Sequence, residues 1–110
     1  MSRDWKIVNA YLIGPGANLA GANLTGADLS ATHLAEANLT GANLAGANLT
    51  GASLRNANLT RADLVEANLT DATVVNANLT GANMVGADVK RAVLTLANLT
   101  DADLTRANLT

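Results

Sequence analysis

The residues able to do chemistry are few, and their spacing does not assemble a site. His33 is the only histidine, and there is no cysteine. A zinc or iron centre needs several such ligands converging on one point, so no metal site is expected. Carboxylates recur at Asp28, Asp63, Asp88 and Asp103 in positions otherwise filled by Asn. Ser and Thr are frequent, but no Ser, His and Asp are spaced to meet in a cleft. The tripeptide N-L-T repeats from Asn23 to Asn108 and reads as a glycosylation sequon. Acceptors need a secretory route, and residues 1–16 hold no apolar run long enough for a signal peptide. The expectation is a non-enzyme with no cofactor and no small-molecule substrate.

The commonest polar group is the Asn that precedes a Leu, as at Asn38, Asn58, Asn78 and Asn98. Two roles suit it. Stacked amides could form a ladder for an ordered surface. Alternatively, each Asn satisfies backbone groups at a nearby bend, the commoner use of this side chain. The second is expected.

What must position these residues is a five-residue unit, A-N-L-x-G, running from Ala17 to Thr110 without insertion or deletion. Its centres fall at every fifth position from Leu19 to Leu109. They are all Leu except Val74, Met84 and Val89. Two residues before each centre stands Ala, with Thr32 the sole exception. A helix turns by about 100° per residue, so a five-residue step scatters Leu around its circumference. A straight strand would send consecutive Leu to opposite faces, because five is odd. A short extended segment closed by a corner, repeated, keeps every Ala–Leu pair facing one interior. Gly at Gly21, Gly41 or Gly81 suits that corner. Arg61, Glu66, Asp71, Asn76 and Leu96 occupy the same place, so a positive φ is not expected there in every unit. The product is a solenoid held by coil stacking on coil.

These units resemble the pentapeptide repeat family, with its motif A(D/N)LXX. The resemblance implies an all-β fold, a right-handed quadrilateral β-helix with twenty residues per coil. Residues 17–110 would then make about 4.7 coils, a rod roughly 20 Å long at the strand spacing. Residues twenty apart would stack, placing Asp71 beside Arg91. Asp63 and Asp103 would lie two coils apart, roughly 10 Å. That spacing would fit an inverting carboxylate pair, but nothing implies a pocket.

Residues 1–16 fall outside the frame and read as an N-terminal cap. Trp5, Ile7, Tyr11 and Ile13 sit on odd positions, as in a strand with one buried face, and Gly14-Pro15-Gly16 signals a turn. No cap follows the last unit. Either the sequence is a fragment of a longer protein, or Leu94, Leu99, Leu104 and Leu109 are expected to mark an open coil that pairs with a second copy, giving a homodimer. The charge of −2 is too mild for a nucleic-acid binder. No segment has eighteen consecutive apolar residues, so no membrane contact is expected. The default location is cytoplasmic.

Apolar residues also point outward. Val75, Val93 and Leu96 fall on one wall, and Val65 and Val85 on the opposite wall. Two readings suit them: β-branched residues are tolerated on a strand-like face, the reading more expected, and a contiguous group of this kind also suits a protein contact. The leading functional reading is a structural or protein-binding scaffold, a rigid rod with an unidentified protein partner. The alternative comes from the resemblance alone. Some family members mimic duplex DNA, bind DNA gyrase and protect it from quinolones or toxins. Those carry stronger acidic surfaces, and often inward Phe or Cys, both of which are absent here.

Overall fold

The computed structural model describes residues 4–110; residues 1–3, including Arg3 of the expected cap, lie outside it. From Ala17 the chain winds as square coils of twenty residues. Parallel bridges join Asn18 to Asn38, Asn38 to Asn58 and Asn58 to Asn78, and the same step recurs on the other three walls. We number the walls by their centres: first Leu19, second Leu24, third Leu29, fourth Leu34. Each recurs every twenty residues. No helix occurs among the described residues, and none is long and apolar enough to cross a membrane.

Alternation within the unit fills the interior. The centre and the Ala two before it are buried from Leu19 through Val89, most with no exposure at all. Burying a Leu is worth about 1.5–3 kcal/mol, and nearly every five residues contribute one. Thr32, the exception in the Ala column, is also buried. Its hydroxyl donates to the carbonyl of Leu29 at 2.6 Å, which satisfies the extra polar atom.

The backbone explains why the unit has five residues. Around Leu39, the N–H of Ala37 closes the preceding corner on the Leu34 carbonyl. The N–H of Asn38 reaches back one coil to Ala17, while those of Leu39 and Gly41 reach forward to Asn58 and Thr60. The remaining N–H, on Thr40, is held by the Asn38 side chain at 3.1 Å. The five donors of this unit therefore have five assigned acceptors. Among the described residues the carbonyl of the corner residue accepts no hydrogen bond.

The corner residue has positive φ in every unit, which overturns the sequence expectation. Gly46 has φ 67°, but Arg61 has 56°, Glu66 58°, Asp71 62°, Asn76 60° and Leu96 61°. The corner needs the left-handed conformation whatever residue occupies it, and stacking on neighbouring coils imposes it on side chains that disfavour it.

The N-terminal segment is a hairpin rather than one strand. β1 (Lys6–Val8) pairs antiparallel with β2 (Tyr11–Ile13), Val8 opposite Tyr11 and Ile7 opposite Leu12. A two-residue turn with φ 52° at Asn9 and 68° at Ala10 joins them, the geometry that matches strand twist. Opposed residues share a face, so the inward parity switches across the turn. Val8, Tyr11 and Ile13 thus pack on the core while Ile7, expected on the buried face, is 67% exposed beside Leu12. Trp5 does act as a lid, with its ring lying against Gly14. Tyr11 accepts the Asn23 N–H at 3.2 Å, a donor with no coil behind it. The molecule measures 38 × 23 × 19 Å, longer than the roughly 20 Å expected of the coils because the hairpin adds to them.

Candidate interaction surface

The outward side chains do local work on three walls. In every unit of the first, second and third walls an Asn or Asp oxygen accepts the backbone N–H two residues on, as at Asn58–Thr60 (3.0 Å), Asp63–Val65 (3.0 Å) and Asn68–Thr70 (2.9 Å). Where Thr follows, its hydroxyl often donates to the same oxygen, at 2.6 Å for Thr60, Thr80 and Thr100. The amide oxygens thus serve their own units rather than a ladder, as expected. The carboxyls of Asp28 and Asp103 are held below the usual carboxylate range, first by the hydroxyls of Ser30 and Thr105 and then by their N–H groups. Asp63 and Asp103 flank Asn83 in one stack, on an open wall.

The fourth wall breaks this rule throughout. Its residues before the centres are His33, Ser53, Thr73 and Val93, joined by successive bridges. None is Asn or Asp, and the N–H groups they would hold, on Ala35, Arg55, Val75 and Thr95, have no hydrogen-bond partner among the described residues. They form a column of four open donors, one per coil. Sequence reading noticed the apolar residues here but missed the donors. The signal was available: this column of four alone has no Asn or Asp.

The predicted apolar contacts separate on this geometry. Val93 (46% exposed) and Leu96 (77% exposed) stand out on the fourth wall, with Val75 half-buried one coil away. Val65 and Val85 on the second wall are both half-buried, so that pair presents less apolar surface. At the other end of the fourth wall, His33 Nε2 lies 3.5 Å from Asp4 Oδ1, an ion pair only when the imidazole is protonated. His33, Thr32, Asp4, Lys6 and Ile13 line a cavity of about 50 Å³. The irregular stretch Ser30–Leu34 is therefore where the cap docks. Among the described residues no group of His, Cys, Asp and Glu could hold a metal ion.

Asp71 and Arg91 pair as the twenty-residue stack requires. Arg91 Nε and Nη2 donate to the two carboxylate oxygens at 2.8 and 3.3 Å. The pair is exposed, so its worth is small. At the last coil Leu94, Leu99 and Leu104 are half-buried and Leu109 is 60% exposed.

The pentapeptide repeat model matches in eight copies over residues 16–51, 37–74 and 75–110. Comparison with curated proteins gave no match. Among solved structures, the chain is similar to a pentapeptide repeat protein from the cyanobacterium Cyanothece 51142, with 37% identity and a TM-score of 0.75. That alignment covers 86% of this chain and 62% of the other. A pentapeptide repeat protein of the Arabidopsis thaliana thylakoid lumen is 36% identical with a TM-score of 0.84, over 86% of this chain and 66% of that one. One from Nostoc is 38% identical with a TM-score of 0.60, over 80% and 60%. The chain thus spans less than two-thirds of the length of each of these three proteins. With the coils, their inward Ala and Leu, and these matches in hand, the chain belongs to the pentapeptide repeat family and folds as its right-handed β-helix.

Proposed function

We propose that the chain is a non-catalytic interaction module, a rigid rod that meets a protein partner through its fourth wall. One observation carries this reading. The fourth wall alone lacks the Asn and Asp side chains that cover the backbone elsewhere, and it exposes Val93 and Leu96 beside the uncovered donors. Open donors and adjacent apolar surface are both better satisfied by a partner than by water. The gyrase-binding alternative draws little from this surface: the net charge is −2, and the Asp residues before the centres are divided between the second and third walls.

The test uses the rod as bait in an extract of its source. Wild type should retain a protein that Val93→Asp plus Leu96→Asp loses, with unchanged thermal melts. A bait carrying Thr60→Asp, on the first wall, should retain it. Equal capture by all three baits would refute the assignment of the contact to the fourth wall.

A further inference from the structure

We propose that the fourth wall is a self-pairing surface, on which two copies of this chain lie side by side with their rods parallel. The proposal rests on the reading of that wall as a contact surface and commits to one occupant.

Spacing selects the occupant. The donors of Ala35, Arg55, Val75 and Thr95 recur once per coil, at the strand separation of ~4.8 Å. A peptide strand laid along the rod offers carbonyls on one edge only every second residue, about 6.8 Å apart. Two steps along such a strand already miss by about 4 Å. The phosphates of one strand of duplex DNA rise by about 3.4 Å and would meet a chain of like net charge. An acceptor column that keeps register must itself be a stack of coils with the same rise.

This chain carries such a column next to the donors. Among the described residues the corner carbonyls of Glu36, Asn56, Asn76 and Leu96 accept no hydrogen bond, and each follows an open donor by one residue. A two-fold axis parallel to the rods exchanges the two columns. It sets the Arg55 donor against the Asn56 carbonyl of the second copy, Val75 against Asn76 and Thr95 against Leu96, and the reverse. Register holds over every coil because both rods have one rise. An axis perpendicular to the rods within the interface would set donors against donors.

The side chains agree with this arrangement. Arg55 of one copy comes one coil from Glu36 of the other, and the symmetry makes the pair twice. Val93 and Leu96 of both copies meet at the same end of the interface. The contact is isologous, so it closes as a dimer rather than growing into a fibre. The coils rise over roughly 20 Å, and the molecule is no more than 23 Å across them. Standard interfaces bury about 800 Å² per partner, so this wall supplies somewhat less. The dimer should therefore be a concentration-dependent equilibrium.

The test restores what the wall lacks. Ser53→Asn, Thr73→Asn and Val93→Asn together place an amide oxygen over the N–H groups of Arg55, Val75 and Thr95, as on the other walls. Light scattering and sedimentation of wild type at high micromolar concentration should give twice the chain mass. The triple variant should give one chain mass and a melting temperature no lower than that of wild-type protein diluted to monomer. A second variant, Leu96→Asp, should also be monomeric. Wild type monomeric at that concentration overturns self-pairing. So does a dimer that survives in the triple variant, or one abolished instead by Leu104→Lys plus Leu109→Lys at the last coil. A monomeric wild type whose fourth-wall variants still lose the captured protein overturns self-pairing while leaving the interaction-module reading intact.

Discussion

Replacing Arg61 by Gly should stabilise the rod, and replacing Gly46 by Ala should destabilise it. Both residues are corners, with φ 56° and 67°. Holding an L-residue in the left-handed region costs roughly 1–2 kcal/mol. A glycine there escapes that cost but loses more backbone freedom on folding, roughly 0.5–1 kcal/mol. The difference leaves Arg61→Gly about 0.5–1 kcal/mol more stable and Gly46→Ala less stable by a similar amount. Sterics do not intrude at Gly46, where an added Cβ would have nothing within 4 Å. Among the described residues the Arg61 side chain makes no hydrogen bond or ion pair, although its Cγ lies 3.3 Å from where a Cβ on Gly81 would sit. Losing that stem trims the gain slightly. For a domain of this size, 1 kcal/mol moves the melting temperature by about 4–8 °C. Calorimetry should find Gly46→Ala lowered by roughly 2–8 °C and Arg61→Gly raised by slightly less. Shifts of the opposite signs would show that the corner does not demand the left-handed conformation at Arg61, and would return the argument to the sequence expectation.

Leu59 is fully buried, so Leu59→Ala should cost about 2–5 kcal/mol in a denaturant titration, whereas Thr60→Ala, which removes one exposed hydroxyl bond, should cost no more than about 0.5–1 kcal/mol; equal losses would contradict the assigned frame. Ala62 has no exposure, and Ala62→Leu should lower stability by about 1–3 kcal/mol or more through overpacking, with an unchanged melt as the contrary result. A Cβ on Gly14 would come within 2.2 Å of the Trp5 ring, so Gly14→Ala should displace that ring and red-shift the emission of the only tryptophan; identical spectra would mean that the lid is not seated there. Hydrogen bonds hold the Asp28, Asp71 and Asp103 carboxyls below their ordinary value, from Ser30, Arg91 and Thr105 respectively. Their folded values are depressed, so their contribution is complete above the unfolded value of 3.8 and is lost as pH falls through the folded values. The melting temperature should hold from about pH 7 to pH 5 and fall below about pH 4, and Asp71→Asn should reduce that fall; a fall of unchanged size in that variant would remove Asp71 as a contributor.

The repeat was legible because burial in this fold is a periodic property. Leu at every fifth position, with Ala two before it, excludes helix and straight strand by arithmetic, and Leu39 and Ala37 are buried where that arithmetic puts them. Twenty residues per coil could not be derived from a period of five, because three-, four- and five-sided coils share that pattern; the family resemblance supplied it, and the Asn18–Asn38 bridge shows it. The corner conformation was misread for a related reason. Residue type reports what a side chain prefers, whereas stacking decides what Leu96 or Glu66 must adopt. The cap was half legible: alternation identified Tyr11 and Ile13, but parity before a two-residue turn predicts the wrong face after it, and Ile7 was misplaced as a result.

The fourth wall shows what a repeat hides. Each unit taken alone tolerates Ser53 or Thr73 in place of Asn, and along the chain these look like scattered exceptions to the motif. Folding by twenty brings His33, Ser53, Thr73 and Val93 into one column and makes four separate departures a single feature. The loss of one side-chain bond per unit is worth about 0.5–1.5 kcal/mol. Four such losses amount to a substantial share of the 5–15 kcal/mol that keeps a domain folded. Departures scattered by tolerance alone would fall on all four walls. Their confinement to one, together with the exposed Val93 and Leu96, is the reason to read that wall as a surface shaped for contact rather than as a worn stretch of the repeat.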